Sequence, residues 1–275
     1  MLVKHYPSFV VFSAMVVGLY STSVLESALP SLIDPPIKQT FMKGGRPAFL
    51  ILPREADKRS PQPWVWYAPT LPGYPKAREN WMFDQFLAKG IAIAGIDAGE
   101  SYGSPDGRKV YTAFFRELVG NRGFAPKAAF LARSRGGLML YNWASEHPEC
   151  VTCIAGIYPV CDLRSYPGLD KACGAYGLSR DELEKQLDQQ NPVARLSPLA
   201  KAGVPIFHIH GDVDKTVPLK ENSGEVARRY EKLGGKMELK IAQGQGHNFW
   251  EGFFQCQELV DFVISNTLKD LKPKH

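Results

Sequence analysis

No stretch of this 275-residue sequence is apolar for long enough to cross a bilayer as a helix. The longest candidate, Phe9 to Tyr20, is about a dozen residues, against the ~20 that a hydrocarbon layer of ~30 Å demands. There is no basic block interleaved with aromatics. The excess of 33 Lys and Arg over 28 Asp and Glu makes only a mildly basic surface, so nucleic acid is not the expected partner. No internal repeat, low-complexity tract or interdomain linker breaks the chain, which argues against repeat arrays and multidomain organisation. Cysteines are few and odd in number. Of Cys150, Cys153, Cys161, Cys173 and Cys256 at least one must stay a free thiol, and Cys161 and Cys173, bracketing a short loop, are the pair best placed for a disulfide. His147, Cys150 and Cys153 have no second ligand pair at zinc spacing. Cys150 and Cys153, three apart where a strand begins, point to opposite faces, so no metal site is expected.

The N-terminus carries the pattern of an export signal. Lys4 and His5 precede the apolar run, and Ser21, Thr22 and Ser23 supply small residues for a cut after Ser23. A cut after Ala28 fits less well, because Glu26 stands where a small residue is wanted. Residues 1–23 are therefore expected to be a signal peptide, and the remaining chain to be secreted or periplasmic with no stable membrane span. A retained N-terminal anchor is the alternative.

Beyond the N-terminal segment the chain reads as an α/β protein. Short strands are predicted at Lys38–Met42, Ala48–Leu52 and Trp64–Ala68. Strands and helices then alternate: strands at Ile91–Ile96, Ala128–Ala132, Val151–Val160, Pro205–His210 and Met237–Ala242, with helices at Glu79–Lys89, Gly107–Val119, Gly137–Ser145, Glu221–Leu233 and Gln255–Leu271. Continuous apolar strands between helices imply a mostly parallel sheet buried on both faces, about eight strands in all, with the early pair forming an antiparallel edge. Residues 36–275 are expected to form one domain. Ser165 to Lys201 interrupts the alternation with three glycines and a polar helix, Ser179–Gln189, and is predicted to be a small cap over the strand ends.

Chemistry gathers at three strand ends. Ser134 lies in Ala132-Arg133-Ser134-Arg135-Gly136, at a strand-to-helix turn whose small flanking residues let backbones pass closely. Such a turn exposes a hydroxyl and aims the next backbone N–H, that of Arg135, at a developing oxyanion. A serine hydroxyl needs a base within hydrogen-bond reach. His247, in the flexible Gly-Gln-Gly-His-Asn loop after the last strand, is the base by position and by elimination. His208 and His210 belong to an apolar strand and read as packed core or loop anchors. Asp212 and Asp214, after that strand, are both placed to orient the base, with Asp162 after the preceding strand as an outside alternative. A second oxyanion donor is sought in Pro69-Thr70-Leu71-Pro72-Gly73. Thr70 and Leu71 are the candidates, since proline has no N–H to give. Glu100 and Tyr102, beyond the strand ending at Ile96, and Arg133 beside the serine are the candidate substrate contacts. The bland reading of Arg133 and Arg135 is a structural one, bonded to carbonyls, Asp97 or Glu100.

The order Ser, Asp, His, each after a strand, resembles the α/β-hydrolase superfamily, over nearly everything after residue 40. Within it the chain looks like secreted bacterial esterases and prolyl-oligopeptidase-like hydrolases. The resemblance implies an eight-stranded sheet with helices on both faces, a Ser-His-Asp triad and no cofactor. It also selects Asp214, four residues before Pro218, as the acid and leaves Asp212 a loop-shaping role. Two departures stand out: Ala132 replaces the usual first glycine, and the loop after the third strand lacks a His-Gly-Gly-Gly run. The piece Ser134-Arg135-Gly136-Gly137 also resembles glucuronoyl esterases, which tilts the expected substrate toward carbohydrate esters, although Leu138 stands where those enzymes have lysine. The leading expectation is thus a serine hydrolase of carboxylic esters acting on a small-molecule or carbohydrate ester. The alternatives are a prolyl-oligopeptidase-like peptidase, for which no recognisable acidic pair awaits a free amine, and a non-catalytic binding protein on the same scaffold.

Overall fold

The computed structural model describes residues 37–269, so the expected signal peptide, residues 1–23, lies outside the described residues. Eight strands build one sheet: β1 (Ile37–Lys43), β2 (Arg46–Leu52), β3 (Trp64–Ala68), β4 (Ala92–Ile96), β5 (Ala128–Arg133), β6 (Val151–Ile157), β7 (Ile206–Gly211) and β8 (Met237–Ala242). Their order is β1-β2-β4-β3-β5-β6-β7-β8. The first two pairings, β1 with β2 and β2 with β4, are antiparallel, and β3 to β8 run parallel. The helices are α1 (Asn80–Ala88), α2 (Pro105–Asn121), α3 (Gly136–Glu146), α4 (Leu169–Tyr176), α5 (Arg180–Lys185), α6 (Leu187–Gln190), α7 (Ser197–Lys201), α8 (Ser223–Lys232), α9 (Glu251–Phe254) and α10 (Gln257–Leu268). Among the described residues no helix is long and apolar enough to cross a membrane.

The continuous apolar strands arise from a sheet covered on both sides. Alternate residues feed two cores. On one face Trp64, Trp66, Phe130 and Ile154 pack against Tyr111 and Phe114 of α2 and Trp143 of α3. On the other, Val65, Leu131 and Ile157 pack against Phe83 and Phe86 of α1 and Leu259 and Val263 of α10. This is the α/β-hydrolase fold that the sequence resembled.

Three expectations need correction. Strand β6 ends at Ile157, not Val160, because Tyr158 turns to φ 36° and the chain leaves the sheet before Pro159. The single polar helix expected over Ser179–Gln189 is broken into α5 and α6, and α4 precedes them. Cys161 and Cys173 are not joined, and all five cysteines are free thiols. Cys161 is buried beneath the sheet end, whereas Cys173 lies part-exposed on α4 with its Sγ on Asp170 O.

The insertion after β6 is anchored to the body. Leu163, Leu169, Leu183 and Leu187 pack on Leu138 and Val160. Tyr176 Oη donates to Tyr102 O at 2.8 Å, and the buried Asn142 Nδ2 donates to Gln190 O at 2.8 Å.

Candidate active site

Strand β5 delivers Ser134 to a turn between sheet and helix α3. Its φ of 49° lies in the left-handed region, a strained conformation for a residue with a side chain, held here by backbone bonds. Ser134 N–H donates to Ile157 O (3.0 Å), while Val160 N–H (2.8 Å) and Gly137 N–H (2.9 Å) donate to Ser134 O. The turn needs Gly136 and Gly137, two and three residues on, to lack side chains. A Cβ on Gly136 would stand 2.1 Å from Ala68 O, and one on Gly137 2.3 Å from Val160 O.

His247 reaches this hydroxyl from the loop between β8 and α9. Its Nε2 lies 2.9 Å from Ser134 Oγ and its Nδ1 2.8 Å from Asp214 Oδ2. An ionised carboxylate only accepts, so Nδ1 carries the proton and the bare Nε2 faces the serine O–H. Asp214 Oδ1 takes two further bonds, from Thr216 N–H (2.9 Å) and Val217 N–H (2.8 Å). Burial alone would raise its pKa. Hydrogen bonds from His210, His247 and Val217 N–H outweigh that and hold it well below the usual carboxylate range. Asp212 is not at the site: its Oδ1 accepts from Gly244 N–H at 2.7 Å and ties the acid's loop to the histidine's. Gly211 permits the same approach, since a Cβ there would meet Gln245 O at 2.0 Å. Asp162 is also elsewhere, bonded to Asn191 Nδ2 at 2.8 Å.

The cleft over Ser134 encloses about 160 Å³. Its walls are Pro69, Tyr74, Arg133, Ser134, Arg135, Tyr158, Tyr166, Thr216, His247 and Phe249. Of the residues singled out in the sequence, Ser134, His247, Arg133 and Arg135 line it, with Asp214 directly behind. Arg133 does not bond Asp97 or Glu100. It pairs with Glu79, a carboxylate whose side chain is 0% exposed, and its guanidinium lies 5.0 Å from the Tyr74 ring centroid. Burial works against its charge, but the Glu79 carboxylate it pairs with holds it cationic. Arg135 pairs with Glu100 at the rim. Tyr102 does not line the cleft: with φ 47° its turn sends the side chain toward the insertion's apolar cluster. Thr70 and Leu71 present no side chain to the cleft, and Thr70 Oγ1 turns back to Tyr67 O at 3.3 Å. The backbone N–H groups of Arg135, Thr70 and Leu71 donate to no acceptor among the described residues.

Sequence reasoning missed the aromatic walls. Tyr158 packs its ring 4.3 Å from that of His247, and burial raises its pKa to about 12, so it stays a neutral phenol. Phe249 follows His247 by two residues and is 47% exposed at the rim, with the Arg78 guanidinium 4.5 Å above its ring. From the insertion only Tyr166 is among the lining residues. The one available signal was position: Tyr74, Tyr158 and Phe249 all follow sheet strands, in the loops where ligands of open α/β sheets bind. No group of three or more His, Cys, Asp or Glu side chains arranged to hold a metal occurs among the described residues.

Comparison with solved structures gives the same fold. The chain is similar to a putative dipeptidyl aminopeptidase IV from Bacteroides ovatus, at 14% identity and TM-score 0.66, with 83% of this chain and 35% of that one covered. It is also similar to a puromycin-hydrolyzing peptidase from Mycobacterium tuberculosis, at 15% identity and TM-score 0.67, covering 90% and 41%. With Est1E from Butyrivibrio proteoclasticus the identity is 14% and the TM-score 0.61, and 83% of this chain and 98% of that one are covered. The chain thus spans about two fifths or less of the length of those two peptidases. No curated protein sequence matches it. The model of the prolyl oligopeptidase family, peptidase family S9, matches residues 118–265, which include Ser134, Asp214 and His247. The chain belongs to the prolyl oligopeptidase family of serine hydrolases.

Proposed function

We propose that this protein hydrolyses carboxylic esters through an acyl-enzyme on Ser134, with an aromatic or sugar ring of the substrate against the tyrosine walls of the cleft. Ser134 Oγ attacks the acyl carbon as His247 Nε2 takes its proton, and Asp214 steadies the imidazolium. The tetrahedral oxyanion meets Arg135 N–H and the free amides of the Thr70–Leu71 loop. The alcohol leaves with the proton from His247, and a water deprotonated by the same nitrogen releases the acid and restores Ser134.

One observation carries the ester reading over the peptidase one. The cleft walls hold two arginines and four aromatic rings, and among the described residues no carboxylate lines them, Asp214 lying behind His247. Glu100, at the rim, is paired with Arg135. A substrate's free amine therefore finds no unpaired anion among the lining residues, whereas aromatic and sugar rings find stacking surfaces. The second reading, a peptidase, is favoured by the family and by the peptidases among its structural relatives. On this cleft it would act on blocked peptides.

The test is turnover of p-nitrophenyl acetate and of acetylated, feruloylated and methyl-uronate sugars, beside a chromogenic dipeptide amide, with Ser134→Ala as control. Ester hydrolysis that the substitution abolishes supports the proposal. Amide release with esters untouched favours the peptidase, and wild-type turnover equal to that of the variant favours a non-catalytic binding protein.

A further inference from the structure

Beside Asp214, strand β7 carries two histidines for which the proposed hydrolysis has no use. His208 and His210, two apart and so on one face, are both fully buried. Between them stands Ser223, the first residue of α8, whose Oγ is 2.9 Å from His208 Nδ1 and 2.7 Å from His210 Nδ1. At the outer end Tyr141 Oη lies 2.7 Å from His208 Nε2. At the inner end His210 Nε2 lies 2.8 Å from Val217 O and 3.5 Å from Asp214 Oδ2.

For neutral rings, donor and acceptor counting places each proton in this row. Val217 O only accepts, so His210 Nε2 bears the hydrogen. With both rings neutral, His210 Nδ1 is bare and receives the Ser223 O–H. Ser223 has one hydrogen, so its oxygen must accept from His208 Nδ1–H. His208 Nε2 is then bare and receives the Tyr141 O–H. Each group is satisfied once. Burial, with His210 nearby, pushes the His208 pKa down to about 3, which keeps that ring neutral.

We propose that His210 is a positioning residue for Asp214, and that Ser223, His208 and Tyr141 lock it in the one tautomer that serves. This rests on Asp214 being the acid of the proposed reaction. The mechanical link is Val217: its carbonyl is held by His210 Nε2–H, and its N–H in turn holds Asp214 Oδ1 at 2.8 Å. The same imidazole N–H is the nearest donor, after His247, to Oδ2. In the other tautomer a bare nitrogen would face both a carbonyl and a carboxylate. Its lone pair would push the acid's loop off the strand and Oδ2 away from His247. The row thus acts on the serine only through the carboxylate.

The test uses the whole protein and four substitutions that avoid the triad: Ser223→Ala, Tyr141→Phe, His210→Gln and His210→Leu. Two readouts are taken: kcat and KM for p-nitrophenyl acetate, and the low-field proton NMR signal of the His247 Nδ1–H···Asp214 bond. Ser223→Ala is expected to lower kcat about ten- to a hundred-fold, the range in which small misplacements of catalytic groups fall, with KM little changed. It should also shift or broaden the low-field signal. Tyr141→Phe, which frees only the last link, should give a smaller loss in the same direction. His210→Gln, whose amide N–H can still reach Val217 O, should retain more activity than His210→Leu. The inference is overturned if folded Ser223→Ala and Tyr141→Phe keep both wild-type kcat and the wild-type NMR signal. Should Ser223→Ala not fold, Tyr141→Phe and His210→Gln decide by the same two readouts. If the wild type shows no Ser134-dependent turnover, the catalytic reading fails, and the NMR signal still decides whether this row positions Asp214.

Discussion

Arg133 and Glu79 form an almost wholly buried ion pair, with side-chain exposures of 3% and 0%. Tyr67 Oη, at 2.7 Å, donates to the same carboxylate, and Lys76 N–H to its other oxygen at 3.0 Å. Breaking one side of such a pair leaves a buried charge unmatched. Glu79→Gln is therefore expected to lower stability by about 3–5 kcal/mol in a denaturant melt. Glu79→Gln combined with Arg133→Met should recover much of that loss, because no charge is then stranded. A Glu79→Gln variant as stable as wild type would show that the pair does not hold the fold together.

The elbow makes a sharper structural prediction. A Cβ at Gly136 would stand 2.1 Å from Ala68 O and 2.6 Å from Pro69 N, both backbone atoms that cannot swing aside. Gly136→Ala is expected to destabilise by about 1–3 kcal/mol, as overpacking does, and to displace the cleft wall at Pro69. Activity should fall even at temperatures where the variant is folded. Ala132→Gly, which only removes a methyl group two residues before Ser134, should retain turnover.

His208 gives the pH dependence of stability. Its folded pKa, about 3, lies below the ordinary imidazole value of ~6.5. The unfolded chain takes up this proton first as pH falls. The stabilisation from burying the neutral ring is therefore full above pH ~6.5 and is lost progressively on acidification toward pH ~3, by up to ~1.4 kcal/mol per pH unit. Denaturant melts between those limits should show this slope, and His208→Gln should flatten it. Equal slopes for the two proteins would contradict the assignment.

Arg135 and Glu100 pair at the rim, with side-chain exposures of 29% and 43%, so solvent screens them. Glu100→Gln should change stability by less than ~1 kcal/mol. Its effect is expected instead in KM: freeing the Arg135 cation should lower KM for acetyl esters on the hydroxyls of uronates, whose carboxylate stays free, and leave that for neutral acetates unchanged. Equal KM shifts for both substrate classes would remove Arg135 from substrate recognition.

Residues 1–23 read as an export signal from Lys4, the apolar run and the small residues before Val24. Protein recovered from the periplasm or medium of a bacterial host should begin at Val24 by N-terminal mass spectrometry. An intact Met1 on membrane-bound protein would support the retained-anchor alternative.

Much of the scaffold was legible because sheet burial leaves a simple mark. Strands such as Ala128–Arg133 and Ala92–Ile96 are apolar nearly throughout since both faces are covered. Where the mark misled, the cause was local. Val151–Val160 is apolar to its end, but periodicity says nothing of the positive φ that turns Tyr158 out of the sheet. Ser134, Asp214 and His247 stood out because each lies just beyond a strand. The partners of Arg133 did not: Glu79 sits at the start of a helix, where an acid is ordinary, and only tertiary packing buries it. His208 and His210 were legible as buried. That one serine from α8 joins them is a fact of three-dimensional proximity between segments 13 and 15 residues apart.

The most direct measurement is the intact mass of the protein after exposure to a fluorophosphonate, followed by peptide mapping. Such a reagent captures a hydroxyl that a neighbouring imidazole has activated. One stoichiometric adduct on Ser134 at neutral pH, lost in His247→Ala and strongly slowed in Asp214→Asn, is the expected result. An unmodified Ser134, or labelling that His247→Ala leaves undiminished, would contradict the account.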